Sequence, residues 1–245
     1  MTNRDEAILE YLRKNNRFVT IEQLSSALFI SGATVRRNLS NLEDSGLVRR
    51  VRGGAILIEG RTNDEPIDFR EGKNVMQKQT IASLALQHIK DGMTLFMDSS
   101  STSLTLARRL DGLSNLRVIT NGIKNASLLS DFSGITVMCA GGTVRLHSKS
   151  LVGYTAIEYL SRYNADIAFM SCRGFSIEGG ATEASEEEYH IKKLFMKNSR
   201  SSILICDSFK KDQEYLCKLA PLSQFSYVIT ENQELNKFIR NSIMN

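Results

Sequence analysis

Apolar positions recur at helical spacing through the first part of the chain, and beyond it they gather into short unbroken runs separated by helical stretches. Ile8, Leu9 and Leu12 share one face of a helix expected from about Arg4 to Lys14, with Ala7 and Tyr11 beside them. Thr20 and Gln23 have the spacing of a capping box. Each can satisfy an orphan amide at the start of a helix whose buried face is Ile21, Leu24 and Leu28. Phe29 to Gly32 then reads as a tight turn, and Ser31 as the N-cap of a third helix. In that helix Val35, Leu39 and Leu42 face inward at i, i+4 and i+7, and Ser45-Gly46 ends it. Leu47-Val48 and the run Ala55 to Ile58 flank Arg49-Arg50-Val51-Arg52-Gly53-Gly54, the pattern of a β-hairpin with a basic, flexible tip.

Further along, a helix is expected from Gln77 to His88. Buried strands are expected at Thr94–Met97, Arg117–Thr120, Ile135–Met138, Ile167–Met170, Ser202–Ile205 and Tyr227–Thr230, several with helical segments between them. Unbroken apolar strands alternating with helices imply an α/β fold with a mainly parallel, doubly wound sheet. Between the two regions Glu59 to Pro66 is polar, lacks an apolar period and carries one of only two prolines. The expected organisation is a winged helix-turn-helix over residues 1–58, a linker over 59–75 and a larger α/β domain over 76–245.

Composition removes several function classes. No run approaches the roughly 18 to 20 apolar residues of a membrane span, and the polar start Thr2 to Glu6 lacks the apolar core of a signal peptide, so a cytosolic protein is expected. The cysteines, Cys139, Cys172, Cys206 and Cys217, form no CxxC pair, which argues against a zinc site or a disulfide scaffold. His88, His147 and His190 are isolated in sequence, and no metal or other cofactor is implied. A net charge of +4 is too small for indiscriminate nucleic-acid binding, so its distribution matters more. From Ser31 to Gly54 five arginines, Arg36, Arg37, Arg49, Arg50 and Arg52, face only Glu43 and Asp44, which concentrates positive charge on the third helix and the hairpin.

A DNA major groove about 12 Å wide admits one helix, whose early exposed side chains meet base edges while hydroxyls near its N-terminus meet phosphates. Ser31, Thr34, Arg36, Arg37, Asn38 and Asn41 are the candidates on that helix. Arginine can bridge guanine O6 and N7, asparagine can bridge adenine N6 and N7, and Arg50 and Arg52 could reach backbone or minor groove. Two other readings stay open here: arginines that only solvate a small helical domain, and a winged helix that contacts another protein.

The segment Ser31-Gly-Ala-Thr-Val-Arg-Arg-Asn-Leu-Ser-Asn-Leu-Glu-Asp-Ser-Gly46, with Arg50-Val-Arg-Gly-Gly-Ala55 after it, resembles the DeoR family of bacterial regulators, and the resemblance runs through both domains. The family usually has aspartate at Asn38 and histidine at Arg52. The resemblance implies a sensor domain similar to sugar-phosphate isomerases, a sugar-phosphate effector that modulates operator binding, usually by relieving repression of a sugar operon, and no catalysis.

In the second region Asp98, Ser99, Ser100, Ser101 and Thr102 follow the buried strand Thr94–Met97 and precede another helical run. Ligands of doubly wound sheets bind beyond the carboxyl ends of the strands, and these hydroxyls and amides could encircle a phosphate. A solvated serine loop is the plainer alternative. Thr120-Asn121, Gly141-Gly142 and Asp207 to Lys210 are further strand-end loops, and the family resemblance places its Thr-Asn, Gly-Gly and Asp-x-Ser-Lys segments on them, with Lys210 among the ligand candidates. The family favours glycine at Ser100 and a small polar residue at Phe209. Lys78 reads more readily as an exposed helix lysine than as a pocket residue, and the acids Glu186 to Glu188 as a favourable helix start. Lys210 with Asp207 or Glu183 could instead form the acid/base pair of an active isomerase. Homodimers or homotetramers are expected, because paired reading heads raise operator affinity.

Overall fold

The computed structural model describes residues 3–15, 18–45, 47–57 and 66–244, in two compact units, 1–69 and 70–245. The first unit contains α1 (Asn3–Lys14), β1 (Phe18–Thr20), α2 (Ile21–Leu28), α3 (Gly32–Asp44), β2 (Val48–Val51) and β3 (Gly54–Leu57). Ile8, Leu9, Leu12, Leu24, Val35, Leu39 and Leu42 are fully buried in one cluster with Val48 and Ala55, so the three helices close over the hairpin along the expected faces. The capping box forms: Thr20 Oγ1 accepts from Gln23 N at 3.1 Å, and Thr20 N donates to Gln23 Oε1 at 2.9 Å. The short β1 has too few residues to show an alternating pattern. It joins an antiparallel sheet in the order β1-β3-β2, pairing Val19 with Ala55. A side chain at Gly54 would come within 2.3 Å of the Val19 carbonyl oxygen, so this close pairing requires glycine. Gly46 and Ile58, read as helix end and strand end, lie outside the described residues.

The first part of the expected linker, residues 59–65, also lies outside the described residues. Its distal part is helical: α4 (Ile67–Gly72) buries Ile67 and Phe69, an apolar pair that the polar stretch before it obscures.

The second unit continues with α5 (Val75–Leu86), β4 (Thr94–Met97), α6 (Ser101–Ala107), β5 (Leu116–Thr120), α7 (Ile123–Leu129), β6 (Ile135–Cys139), β7 (Thr143–Val144), β8 (Leu151–Val152) and α8 (Tyr154–Leu160). Then come β9 (Ala165–Met170), β10 (Gly174–Ser176), β11 (Gly180–Glu183), α9 (Glu186–Lys197), β12 (Ser199–Ile205), β13 (Cys217–Ala220), β14 (Tyr227–Ile229) and α10 (Gln233–Met244). Six strands form one parallel sheet in the order β14-β12-β9-β4-β5-β6. Period-two alternation sends Leu95, Met97, Val118, Ile167, Phe169, Ile203 and Ile205 into a core with α5, α6 and α7. Phe96, Ile119, Ala168, Met170 and Leu204 face the opposite core with α8, α9 and α10. Helices therefore cover both faces, as the unbroken apolar strands require.

From β4 the chain winds one way through β5 and β6, then returns to build β9, β12 and β14 on the other side. The order reverses between β4 and β9, and the carboxyl ends of these two strands flank the crevice where such sheets bind ligands. A second sheet, β10-β11-β13, is antiparallel and was not anticipated. Its strands are short, and β11 is buried along its whole length.

Phe96 and Phe195 stack at 4.5 Å between centroids and 14° between planes, both with no exposed surface, and so join the sheet to α9. Phe96→Ala should destabilise the second unit by about 3–5 kcal/mol. Urea denaturation followed by far-ultraviolet circular dichroism checks this, and an unchanged midpoint would show that the stack contributes little.

Candidate functional site

In the first unit Ser31 caps α3: Thr34 N donates to Ser31 Oγ at 3.2 Å, and the two side-chain oxygens lie 2.9 Å apart. Arg36, Arg37 and Asn41 are exposed along the helix. Asn38 is corrected by the structure. It occupies the i+3 place on the inward stripe begun by Val35, is only 3% exposed, and its Nδ2 has no hydrogen-bond partner. In this conformation it cannot read a base edge. On the wing, Arg50 is fixed against α3. Its backbone N donates to Glu43 Oε1 at 2.8 Å and its Nε to Oε2 at 2.6 Å, and these bonds hold the Glu43 carboxyl below its usual range. Arg52 is exposed beside Gly53, whose φ of +86° turns the hairpin. Arg36, Leu39, Glu43, Arg50, Val51 and Arg52 line a groove of about 390 Å³ between helix and wing.

In the second unit the serine loop stands at the switch between β4 and β9. Asp98 organises it: the fully buried Oδ1 accepts from Ser100 Oγ at 2.6 Å and Ser100 N at 3.2 Å, while Oδ2 accepts from Ser171 N at 2.9 Å. Ser100 Oγ in turn accepts from Ser103 N and caps α6. Asp98 and Ser100 are thus committed to holding the loop. Ser101 and Thr102 are buried at its turn, as is Ser103, whose Oγ has no partner. Asn125 Nδ2 donates to Asp98 O at 2.8 Å.

Thr120 and Asn121, at the end of β5, adjoin this loop. Thr120 Oγ1 donates to Met97 O at 2.7 Å and accepts from Gly122 N, and a side chain at Gly122 would meet Ser99 Cα at 3.0 Å. Asn121 Nδ2 donates to Leu151 O at 3.3 Å, leaving its buried Oδ1 without a partner. Gly141 and Gly142 are exposed at the start of the β7–β8 hairpin. Gly142 has φ of +122°. The two glycines lie against Thr155, Val152 and Ala156, and it is Ser150, further along the same hairpin, that meets Glu188 and Gly122. Lys210 approaches from the β12 side, donating to Ser171 Oγ at 3.0 Å and Cys172 O at 2.9 Å, with Asp207 Oδ2 at 3.9 Å.

Behind the loop lies a buried ionic network that residue patterns did not reveal. Lys192 is 5% exposed and bonds Glu183, with Asp98 Oδ2 at 3.5 Å. Burial opposes its charge, yet the Glu183, Asp98 and Glu188 carboxylates hold the ammonium above its usual range. Burial likewise pushes Glu183 upward, but Lys192 and Arg173 overcome this and hold it low. Of the acids read as a helix start, Glu186 and Glu187 are exposed. Glu188 turns inward and is 5% exposed. Its Oε1 accepts from Ser150 Oγ at 2.5 Å and Ser99 Oγ at 3.4 Å, and lies 3.4 Å from an Arg145 guanidinium nitrogen. The helical spacing from Glu188 to Lys192 was the available signal, since both must share one face of α9.

Lys78 is buried rather than exposed, 3% accessible, with its ammonium donating to the Arg70 and Lys73 carbonyls. Burial first, and the Lys210 charge second, lower its pKa to about 8. Cys172 and Cys206, distant in sequence, are brought into side-chain hydrogen-bond contact in the core.

Comparison with known proteins gives two adjoining family matches: a DeoR-like helix-turn-helix domain over residues 4–61 and a DeoR C-terminal sensor domain over 73–232. The chain is 33% identical to the HTH-type transcriptional regulator GolR of Listeria innocua, across 96% of this chain and 91% of that protein. It is 33% identical to the HTH-type transcriptional repressor GlcR of Bacillus subtilis, across 92% and 86%. With the glycerol-3-phosphate regulon repressor of Escherichia coli identity is 28%, across 94% and 90%. Among solved structures, a probable sor operon regulator from Shigella flexneri aligns with a TM-score of 0.47 at 15% identity, covering 69% of this chain and 89% of that one. Among the described residues no helix is long and apolar enough to cross a membrane.

Lys78 gives stability a defined pH dependence. The unfolded chain keeps this proton up to the ordinary 10.5, so between about 8 and 10.5 the unfolded state binds more protons than the folded state. The Lys78 contribution therefore rises with pH across that window. Lys78→Met should flatten the rise, read as the difference in urea midpoint between parent and variant on either side of pH 8. Equal pH dependence in the two proteins would refute the assignment.

Proposed function

The chain belongs to the DeoR family of transcriptional regulators, and from that premise we propose that exposed side chains of α3 and the wing hold an operator while the switch-point loop of the second unit binds a phosphorylated sugar. Arg36 and Arg37 reach base edges or phosphates in the major groove, Asn41 and the Ser31-Thr34 cap lie along the same approach, and Arg50 and Arg52 follow the adjacent backbone. Glu43 orients Arg50 toward the helix side of the groove.

One observation carries the effector reading: the hydroxyl-rich loop from Ser99 to Thr102 is buried at the reversal of strand order, braced by Asp98, and bordered by the Lys210 ammonium. Lys210 and Lys78 influence each other electrostatically, with Asp207 as the acid that acts on both, which favours an anionic group on this side. A repressor among the relatives is named for a glycerol-phosphate regulon, which agrees with a phosphate ester. The isomerase alternative is disfavoured, because Glu183 is locked to Lys192 and the matched families and relatives are those of transcriptional regulators.

In this reading the protein acts in the cytoplasm as a homodimer or homotetramer and represses a sugar-metabolism operon. Sugar phosphate favours one arrangement of the reading heads, and linkage then requires operator DNA to change sugar affinity in return.

Replacing both Arg36 and Arg37 with alanine should abolish operator retention at physiological salt and lower the salt slope by about one for each phosphate that α3 no longer reaches. Undiminished binding in a fluorescence-anisotropy titration would remove α3 from the interface. A saturating phosphosugar, near 100 times its dissociation constant, should stabilise the protein by about 2.7 kcal/mol. Replacing Ser101 and Thr102 with alanine should erase that thermal shift. A shift that survives would place the effector elsewhere.

A further inference from the structure

Among the described residues around the switch-point loop, three buried side-chain oxygens have no hydrogen-bond partner: the Ser103 hydroxyl, which can itself donate, and two oxygens that can only accept. Glu188 Oε2 is one and Asn121 Oδ1 the other, on residues 5% and 0% exposed. They belong to one contiguous set. Glu188 Oε1 takes the Ser99 and Ser150 hydroxyls, Ser150 bridges to Gly122, and Asn121 bonds Leu151 through both its backbone oxygen and its side-chain amide. Leaving buried acceptors unsatisfied costs on the order of 1–3 kcal/mol each, and more for a charged group, so this edge of the site is built to meet donors.

Charge separates this edge from the one that takes the anion. The network contains four carboxylates, Asp98, Glu183, Glu188 and the more exposed Glu187 that pairs with Arg145 at 3.1 Å, against three cations, Lys192, Arg173 and Arg145, so it holds no positive surplus to attract a phosphate. On the other side the positive group is Lys210, which donates to Ser171 Oγ, the residue whose backbone N bonds Asp98. A phosphate and a carboxylate oxygen would repel each other, whereas sugar hydroxyls donate readily to Glu188 and Asn121.

We propose that Glu188 is the specificity-determining residue of the effector site, accepting hydrogen bonds through Oε2 from effector hydroxyls, with Asn121 Oδ1 as a second acceptor. The ligand class is a phosphorylated polyol or sugar that offers hydroxyl donors at the end away from its phosphate. This rests on the serine loop as the phosphate site. An effector whose hydroxyl is removed where it meets Glu188 leaves the carboxylate oxygen unpaired again, which is the physical source of discrimination.

The test is calorimetric titration of the full chain and of Glu188→Gln with inorganic phosphate, glycerol phosphate, ribose phosphate, deoxyribose phosphate and fructose phosphate, each sugar also in unphosphorylated form. Glutamine keeps the shape but places one amide donor where the carboxylate offers only acceptors. The preferred polyol phosphate should bind at least about tenfold more weakly to the variant, as expected when a charge-assisted bond is removed, while inorganic phosphate binds unchanged. Glu188→Asp, which keeps the charge and retracts it, should fall between the two, and melting temperatures establish that each variant is folded. Equal affinities in parent and Glu188→Gln would overturn the proposal. So would an equal loss for inorganic phosphate, which would mark Glu188 as a support of the loop alone. Glu188-dependent binding of unphosphorylated sugars, with no advantage from phosphate, would uphold Glu188 and refute the phosphate site. No binding of any probe to the parent would overturn both.

Discussion

The second unit depends on one buried carboxylate. Asp98 directly follows β4, the first strand of the sheet, and its two oxygens act on different parts of the fold: one shapes the serine loop and the start of α6, the other holds Ser171 beyond the end of β9. These strands are adjacent in space although more than 70 residues separate them in sequence, and the crevice exists because the strand order reverses there. With Asp98 charged and enclosed, Lys192 must stand behind it, and Lys192 in turn requires Glu183. Such a network gains little net stability over apolar packing, but it fixes geometry, because removing any member strands a charge.

The first unit relies on a different kind of constraint. Its apolar stripe is simple and, apart from the buried Asp5, its charges are at the surface, so the outward side chains of α3 and the wing are set by backbone placement rather than by buried partners. The exception is Arg50, held by Glu43 from the neighbouring helix. The division suits the roles proposed for the two units: an exposed charged surface for a long polymer, and a buried polar loop for a small molecule.

Much of this was legible in the chain. The strands at Thr94, Ile135 and Tyr227 begin where expected, and those at Arg117, Ile167 and Ser202 overlap their elements, because a strand buried on both faces must be apolar throughout. The Thr20 and Ser31 caps were equally plain, since capping is local chemistry. Position within a local pattern misled at Asn38, where a polar residue sits on the inward stripe, and at Lys78, where helical context suggested exposure. Lys192, Arg145 and Ser150 escaped notice, and Glu188 was read only as part of a helix start, for a further reason. Their significance comes from pairings across tens of residues, and charge type alone does not tell which acids turn inward.

The Arg50–Glu43 pair also bears on how such a protein searches a genome. Neutralising one wing arginine within the protein weakens the pull toward arbitrary phosphate backbone, the sequence-independent part of binding that detains a regulator at wrong sites. If α3 and the wing form the proposed reading surface, an acid beside them would shorten each stay on irrelevant DNA, and the time recovered would go to sampling new positions.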